Sequence, residues 1–348
     1  MDTAYFYLTD EGRLLADRLS QVRPGTVFGK ENFKENLKQA FQEYDYLVCI
    51  MAAGIVIRIL APLIHHKTSD PGVVVMDQKG NYAISLLSGH LGGANDLARE
   101  MAAVSGGQPV ITTATDVAGE LSFDTFAKSH DMAIENIGQL KHVSGALLSG
   151  KAVTVITDCQ FPDLAPDMDK GKLIPLSVKD AREGMMNSMT KTTTAVVIDE
   201  GFRLQEEYAA GYLAVLYLRP RTICAGIGCK RGMDAGPIEE ALRQVLKEEG
   251  LSPLSLKCIS TIPLKASEPG ILTTARHLDI PLVIIPTEEI EALDMESLNI
   301  RQSDFVAKQT GVLSVSTASS YLASGQGIIL RDKAKFKGIT VALSKIRK

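Results

Sequence analysis

The feature that most restricts the fold is a rhythm: short apolar runs alternate with amphipathic segments through the first third of the chain. TAYFYLT (3–9) and DYLVCIMA (45–52) read as strands, with EGRLLADRLS (11–20) and NFKENLKQAFQEY (32–44) as helices between them. GIVIRILAPLI (54–64) has helical spacing after Gly54. GVVVMD, QKGN and YAISLL (72–87) read as a hairpin, and PVITTA (109–114) as another strand. Strands alternating with helices imply an α/β layer structure. From about Glu135 the pattern weakens. AVTVITD, TAVVID and LAVLYLRP remain strand candidates, separated by a polar stretch with Pro162, Pro166 and GMMNSMTKTTT (184–194). At Arg221 the α/β pattern returns: a strand enters Gly226-Ile227-Gly228, and a helix starts near Pro237 with Glu239 and Glu240 in its first turn. SLKCIST, PLVIIP, GIILR and KGITVALSKI supply further strands. The expected organisation is an α/β chain with three-layer α/β domains at residues 1–134 and 220–348. A smaller, less regular α/β middle domain, 135–219, separates them.

A chain of 348 residues is long for one hydrophobic core, which agrees with several domains. The formal net charge of −4 excludes a surface built throughout for nucleic acid, so an anionic ligand must be met by a local basic cluster. The longest apolar stretch, 46–64, is broken by Gly54 and Arg58, so no membrane span is expected. The N-terminal segment lacks a secretory pattern. Cys49, Cys159, Cys224, Cys229 and Cys258 are scattered with no Cys-x-x-Cys, so a reducing cytoplasm is the expected compartment.

One segment, NYAISLLSGHLGGANDLAREMA (81–102), boxes a histidine among three glycines at a strand-to-helix turn. Such a turn leaves backbone N–H groups at the positive end of a helix. Gly92 and Gly93 allow an anion or an oxyanion close to the backbone. His90 is a candidate general base near neutral pH; the alternative is a tight connection whose histidine caps a helix. Gly-x-Ser-x-Gly is absent, which argues against a serine nucleophile elbow. MAAGIVIR puts Gly54 and Arg58 at a second such junction, where arginine can clamp a carboxylate or lie on a surface helix. TTATD puts Thr112, Thr113, Thr115 and Asp116 just past a strand, where ligands of α/β sheets sit, so this loop is expected to share a cleft with His90 and Arg58. Thr115 or Asp116 as a helix cap is the competing reading. His65, His66 and Lys67 read as a solvated basic loop, and no third ligand of fitting spacing points to a metal. GIGCKRGMD places Lys230 and Arg231 in a carboxylate-binding turn beside Cys229, whose pKa two adjacent cations would depress. Lys265 and Glu268 stand three apart near a helix start, a spacing equally suited to an ordinary surface ion pair.

Together these segments are recognisable. MAAGIVIR, DPGVVVMDQKGNYAISLLSGHLGGANDLA and VITTATD resemble the N-terminal domain of the CbiG family. GIGCKRGMDAGPIEEAL, STIPLKASEPGILTTARHLDIPL and GVLSVSTASSYLAS resemble its C-terminal domain, which is shared with CobE-type proteins. The resemblance implies a hydrolase of anaerobic cobalamin biosynthesis. Its reaction opens the δ-lactone of cobalt-precorrin-5A and releases acetaldehyde to give cobalt-precorrin-5B. It implies His90 as the base that activates water and Asp116 as an aid to proton transfer. Substrate binding falls to Gly54, Arg58, Gly89, Gly92, Gly93, Asn95, Thr115, Lys230, Arg231, Lys265 and Glu268. Cobalt arrives with the corrinoid substrate, so no resident cofactor or metal site is expected. A homodimer and transient contact with other corrin-pathway enzymes are the partner expectations. Two departures stand in the C-terminal part: Pro263 and Thr317 occupy positions where the family pattern has acids. They place the chemistry in the N-terminal domain or in a cleft it shares with the C-terminal one. They also motivate a second reading, a non-catalytic corrinoid carrier; a general α/β esterase is a third.

Overall fold

A computed structural model describes residues 2–66, 69–183, 194–301 and 314–347, and the chain divides into two compact units, Met1–Lys128 and Ser129–Lys348. Lys67 and residues 184–193, most of the GMMNSMTKTTT stretch, lie outside the described residues.

The first unit runs β1 (Thr3–Tyr7), α1 (Asp10–Val22), β2 (Thr26–Phe28), α2 (Phe33–Glu43), β3 (Tyr46–Ile50), α3 (Ala53–Leu60), β4 (Gly72–Met76), β5 (Tyr82–Leu87), α4 (Ala94–Ser105), β6 (Gln108–Val110), α5 (Ala114–Ala118) and α6 (Phe123–Ser129). Six strands form one sheet in the order β2-β1-β3-β4-β5-β6. The period-2 geometry of a strand explains why the apolar runs are continuous. Ala4, Phe6, Leu47, Cys49, Val73 and Val75 face α2 and α3. Their neighbours Tyr5, Val48, Ile50, Val74 and Met76 face α1 and α4 on the opposite side. Both faces are covered, which makes three layers.

Strand direction positions the site. β1 to β4 are parallel, and β5 is antiparallel to β4. The reversing turn is built by Asp77, whose carboxylate accepts from Lys79 N at 3.0 Å and Tyr82 N at 2.8 Å. Gly80 completes it at φ +71°. β6 then runs parallel to β5. The loops after β5 and β6 therefore emerge at the end of the sheet where β3 and β4 begin. They are separated from the start of α3 by a strand length, about 16 Å at roughly 3.3 Å per residue.

The second unit carries two sheets. β7 (Met132–Ile134), α7 (Leu140–Leu148), β8 (Val153–Ile156), α8 (Ala165–Asp169), β9 (Leu173–Leu176), α9 (Val178–Arg182), β10 (Thr194–Ile198), α10 (Glu206–Ala209) and β11 (Ala214–Pro220) build a sheet of order β7-β11-β10-β8-β9. Then come β12 (Ile223–Cys229), α11 (Ala235–Glu248), β13 (Leu256–Thr261), α12 (Pro269–His277), β14 (Leu282–Ile284), α13 (Thr287–Glu291), α14 (Ser316–Ala323), β15 (Ile328–Phe336) and β16 (Ile339–Lys345), ordered β14-β13-β12-β16-β15. Glu200, buried after β10, joins the two sheets: its carboxylate accepts from Thr222 Oγ1 and pairs with Lys345 Nζ, both at 2.8 Å. Arg219, fully buried on β11, donates to Glu135 Oε2 at 2.6 Å and to the carbonyls of Asp199 and Phe202 at 2.9 Å. Burial lowers its pKa to about 10.

In the last sheet Ile223, Ala225, Ile227, Val341 and Leu343 face α11 and α12. α14 lies against the other face so closely that a Cβ on Gly226 would overlap the carbonyl oxygen of Ser316. Gly226→Ala is expected to lower stability by about 1–3 kcal/mol through overpacking. Gly236→Ala, at a position in α11 with nothing within 4 Å of the new Cβ, is expected to be neutral or stabilising. Urea unfolding of both variants checks the pair; equal midpoints would refute the close approach.

Candidate functional site

The segment after β5 folds into a tight loop before it enters α4. Ser88 adopts φ +55° and Gly93, the residue before α4, φ +77°. The loop closes on itself: Gly93 N donates to His90 O at 2.9 Å, Ala94 N to Ser88 O at 3.2 Å and Asn95 N to Gly89 O at 2.9 Å. Of the amides around Gly92 and Gly93 expected to be offered to an anion, that of Gly93 is spent on the loop's own carbonyls, as are those of Ala94 and Asn95. The glycines have a packing reason as well. A Cβ at Gly89 would stand 2.7 Å from Asn95 Oδ1, one at Gly92 would overlap Ser88, and one at Gly93 would stand 2.6 Å from Lys128 Nζ. The close approach they permit is that of the chain to itself.

This loop delivers the His90 ring to the residues after β6. Nε2 lies 3.1 Å from Thr115 Oγ1 and 3.4 Å from Asp116 Oδ2, while Nδ1 lies 3.1 Å from Thr125 Oγ1 on α6. The His90 and Asp116 side chains are 16% and 17% exposed, so the pair is sheltered yet reachable. Asp116 is held from two sides: Asn95 Nδ2 donates to Oδ2 at 2.9 Å and Arg99 Nη2 to Oδ1 at 2.6 Å. Asn95, itself buried, is oriented by Ser85 Oγ, which donates to its Oδ1 at 2.7 Å. The capping readings do not hold. Gly93 precedes α4, and Thr113 precedes α5 without a side-chain cap bond, which leaves His90, Thr115 and Asp116 to face one another. The arrangement is an imidazole with a carboxylate on one edge and a hydroxyl on the other, which suits general base chemistry.

Arg58 does not join this group. It lies on α3, which starts at the far end of the sheet, and its Nη1 donates to Gly54 O at 2.9 Å on an exposed surface. The expected cleft common to Arg58 and His90 is therefore corrected: β5 runs against β4, so the two loops leave opposite ends. At the Arg58 end the carboxyl termini of β1, β3 and β4 border a separate cleft of about 450 Å³, lined by Thr9, Ile50, Ala52, Ile55 and Gln78 among others. His65 and His66 are exposed, and His65 N donates to buried Asp70 at 3.0 Å. Among the described residues no group of three or more His, Cys, Asp or Glu side chains is placed to hold a metal ion. Arg99, Ser85 and Thr125 were not anticipated. Arg99 follows Asn95 by four residues and so shares its helix face, a usable signal; Thr125 carries none.

In the second unit the carboxyl ends of β12 and β13 open into a cleft of about 1290 Å³, wider than the about 300–1,000 Å³ typical of small-ligand pockets. Lys230, Arg231, Lys265 and Glu268 all line it, together with Lys333 and Lys335 from β15, which sequence reasoning missed. Glu268 Oε1 pairs with Lys265 Nζ at 2.8 Å and its Oε2 accepts from Gly232 N at 2.9 Å, so the acid fixes the two loops to each other. The pair is 14% and 9% exposed, which removes the surface reading. Lys230, Arg231, Lys333 and Lys335 make no ion pair among the described residues, and the cleft is correspondingly electropositive. Cys229 also lines it, but burial and the charge of Glu268 push its thiol up, the reverse of the expected depression. Thr317, at one of the positions where an acid was expected, donates its hydroxyl to Asp332 Oδ1 at 2.7 Å.

Models of three cobalamin-synthesis domains match the chain in order: the cobalamin synthesis G N-terminal model over residues 35–116, the cobalamin biosynthesis central region over 121–220, and the cobalamin synthesis G C-terminus over 223–344. A protein of Salmonella typhimurium named cobalt-precorrin-5A hydrolase is 34% identical over 98% of this chain and 96% of its own length. The chain belongs to the CbiG family. A Priestia megaterium protein of the same name is 32% identical over 89% of this chain and 81% of its own. A protein named CobE, from Sinorhizobium sp., is 26% identical over 30% of this chain and 67% of its own length. The CbiG N-terminal model thus spans the loop of His90 and reaches Asp116, and the C-terminal model spans the basic cleft. No helix among the described residues is long and apolar enough to cross a membrane.

The hydrogen bond from Lys265, reinforced by that from Gly232 N, holds the Glu268 carboxyl below its ordinary range. A depressed acid stabilises the fold above its unfolded value, about 4.3, and that contribution is lost as pH falls through the lowered native value. The stability gap between wild type and Glu268→Gln is therefore expected to stay constant above about pH 5 and to close in stronger acid. Unfolding midpoints across pH 2–7 measure it, and a gap indifferent to pH would refute the clamp.

Proposed function

We propose that this CbiG-family chain is a cobalt-precorrin-5A hydrolase, opening the δ-lactone of the cobalt-corrinoid substrate and releasing acetaldehyde to give cobalt-precorrin-5B. The observation that carries the reading is the sheltered His90–Asp116 pair, with Asp116 itself held by Asn95 and Arg99. The Asp116 carboxylate beside Nε2 favours the tautomer that bears its hydrogen there. Nδ1 is then left with a lone pair on the edge of Thr125, where a water can take the place of the threonine hydroxyl. Water deprotonated at Nδ1 attacks the lactone carbonyl, and the imidazolium that forms is stabilised by Asp116. Carbon–carbon cleavage of retro-aldol type then releases the two-carbon aldehyde, with Asp116 assisting proton transfer. The amides of Gly93, Ala94 and Asn95 are engaged within the loop, so the oxyanion is assigned to a donor other than these.

Binding falls to the second unit. The macrocycle carries many carboxylates, and Lys230, Arg231, Lys333 and Lys335 present cations without ion pairs among the described residues in a cleft of about 1290 Å³. On this reading cobalt belongs to the substrate and the compartment is the cytoplasm.

His90→Ala is expected to reduce acetaldehyde release about 10²–10⁴-fold while corrinoid affinity stays within about twofold, a difference of under 0.5 kcal/mol. Aldehyde assay beside equilibrium binding separates the two. Undiminished turnover would remove His90 as the base. Tight corrinoid binding by the wild type without any aldehyde would leave a carrier in place of an enzyme.

A further inference from the structure

The N-terminus of α14 faces the basic cleft through Val315 and Ser316. The first intrahelical amide bond is Ser319 N to Val315 O at 3.0 Å, so the amides of Ser316, Thr317 and Ala318 have no acceptor within the helix. Among the described residues no side chain caps this end. Two further groups at the same wall lack partners. Ser316 is 1% exposed and its hydroxyl makes no hydrogen bond among the described residues. Lys333 is 6% exposed and lines the cleft, and its ammonium has no ion pair or hydrogen bond among the described residues. The neighbouring acid, Asp332, stands beside this end, where it accepts from Thr317 Oγ1 at 2.7 Å, and its other oxygen pairs with Arg301. Lys335, two residues along β15, adds a second positive charge.

A buried hydroxyl left unpaired is costly, and Lys333 brings to the same cleft a charge with no ion pair among the described residues. Burial and the charge of Lys335 disfavour the protonated state of Lys333 by more than the nearby Asp332 favours it. One oxyanion placed among these groups relieves all of them, since a helix N-terminus and an ammonium both favour negative charge. We infer that the N-terminus of α14, Ser316 Oγ and Lys333 Nζ form a subsite for a single alkyl carboxylate of the ligand. The assignment rests on the reading above that the cleft takes a macrocycle with peripheral carboxylates. It goes further by naming the residues that hold one of them, and by giving specificity for acid over ester or amide at that arm.

The test uses the full chain and two cobalt corrins, cobyrinic acid with its side-chain carboxylates free and its heptamethyl ester, titrated by calorimetry. Wild type is expected to prefer the acid. Lys333→Met, which keeps the stem and drops the charge, is expected to bind the acid about tenfold more weakly, the loss of one charge-assisted hydrogen bond. Its affinity for the ester is expected to be unchanged. Ser316→Ala is expected to lose about threefold on the acid alone, and it carries the test if Lys333→Met does not fold. Acid affinity equal to wild type in both variants overturns the subsite. If wild type binds neither corrin, the corrinoid reading fails and the subsite is decided with glutarate and inorganic phosphate. A thermal stabilisation by glutarate that Lys333→Met abolishes supports it. The same stabilisation in variant and wild type, or a response to phosphate alone, overturns it.

Discussion

The carboxylate of Asp77 fixes the course of the first unit. By receiving the amides of Lys79 and Tyr82 it turns the chain back after β4, and β5 then runs against its neighbour. A sheet that began with four parallel strands thereby presents working loops at both ends. One end keeps the arrangement usual for parallel α/β sheets, a cleft beyond the strand carboxyl termini. The other receives the loops that follow β5 and β6. Because these strands are parallel neighbours, their loops emerge side by side, and His90 meets Thr115 and Asp116 with no long-range rearrangement of the chain.

Much of this was legible. The alternating apolar runs gave the strands, QKGN gave the hairpin, and the position of TTATD just after a strand brought Asp116 toward His90. Arg58 belongs at the other end, and the clue was available: the hairpin reverses the strand of His90 against β4, to which the strand before Arg58 is a parallel neighbour. The glycines were harder. Glycine marks a place where something comes close, and the sequence does not say whether that is ligand or chain; here it is Ser88, Asn95 and Lys128. Arg99 looked like a solvated helix residue because its role depends on Asp116, seventeen residues away and on another element. β7 and β9 are short edge strands, one containing Pro175, and short edges leave little periodicity to read.

The two candidate sites differ in electrostatic character. The His90 group is a small neutral-to-acidic network in which each charge has a partner. The cleft of the second unit is an unbalanced cluster of cations on a chain whose formal charge is −4. Glu268, the one acid lining it among the described residues, is consumed in bridging Lys265 and Gly232. The imbalance is local and therefore had to be found in space; overall charge gave only the rule that such a cluster must exist if the ligand is anionic.

The hydroxyls on either edge of His90 have one more consequence. A threonine hydroxyl gives or takes a hydrogen by rotating a single bond, and one stands at each ring nitrogen, Thr125 at Nδ1 and Thr115 at Nε2. The ring can therefore exchange tautomers while its heavy atoms stay fixed. A proton gathered at Nδ1 can depart from Nε2, which leaves the ring as its other tautomer without the ring turning over, and a reverse transfer between the same two edges restores the first.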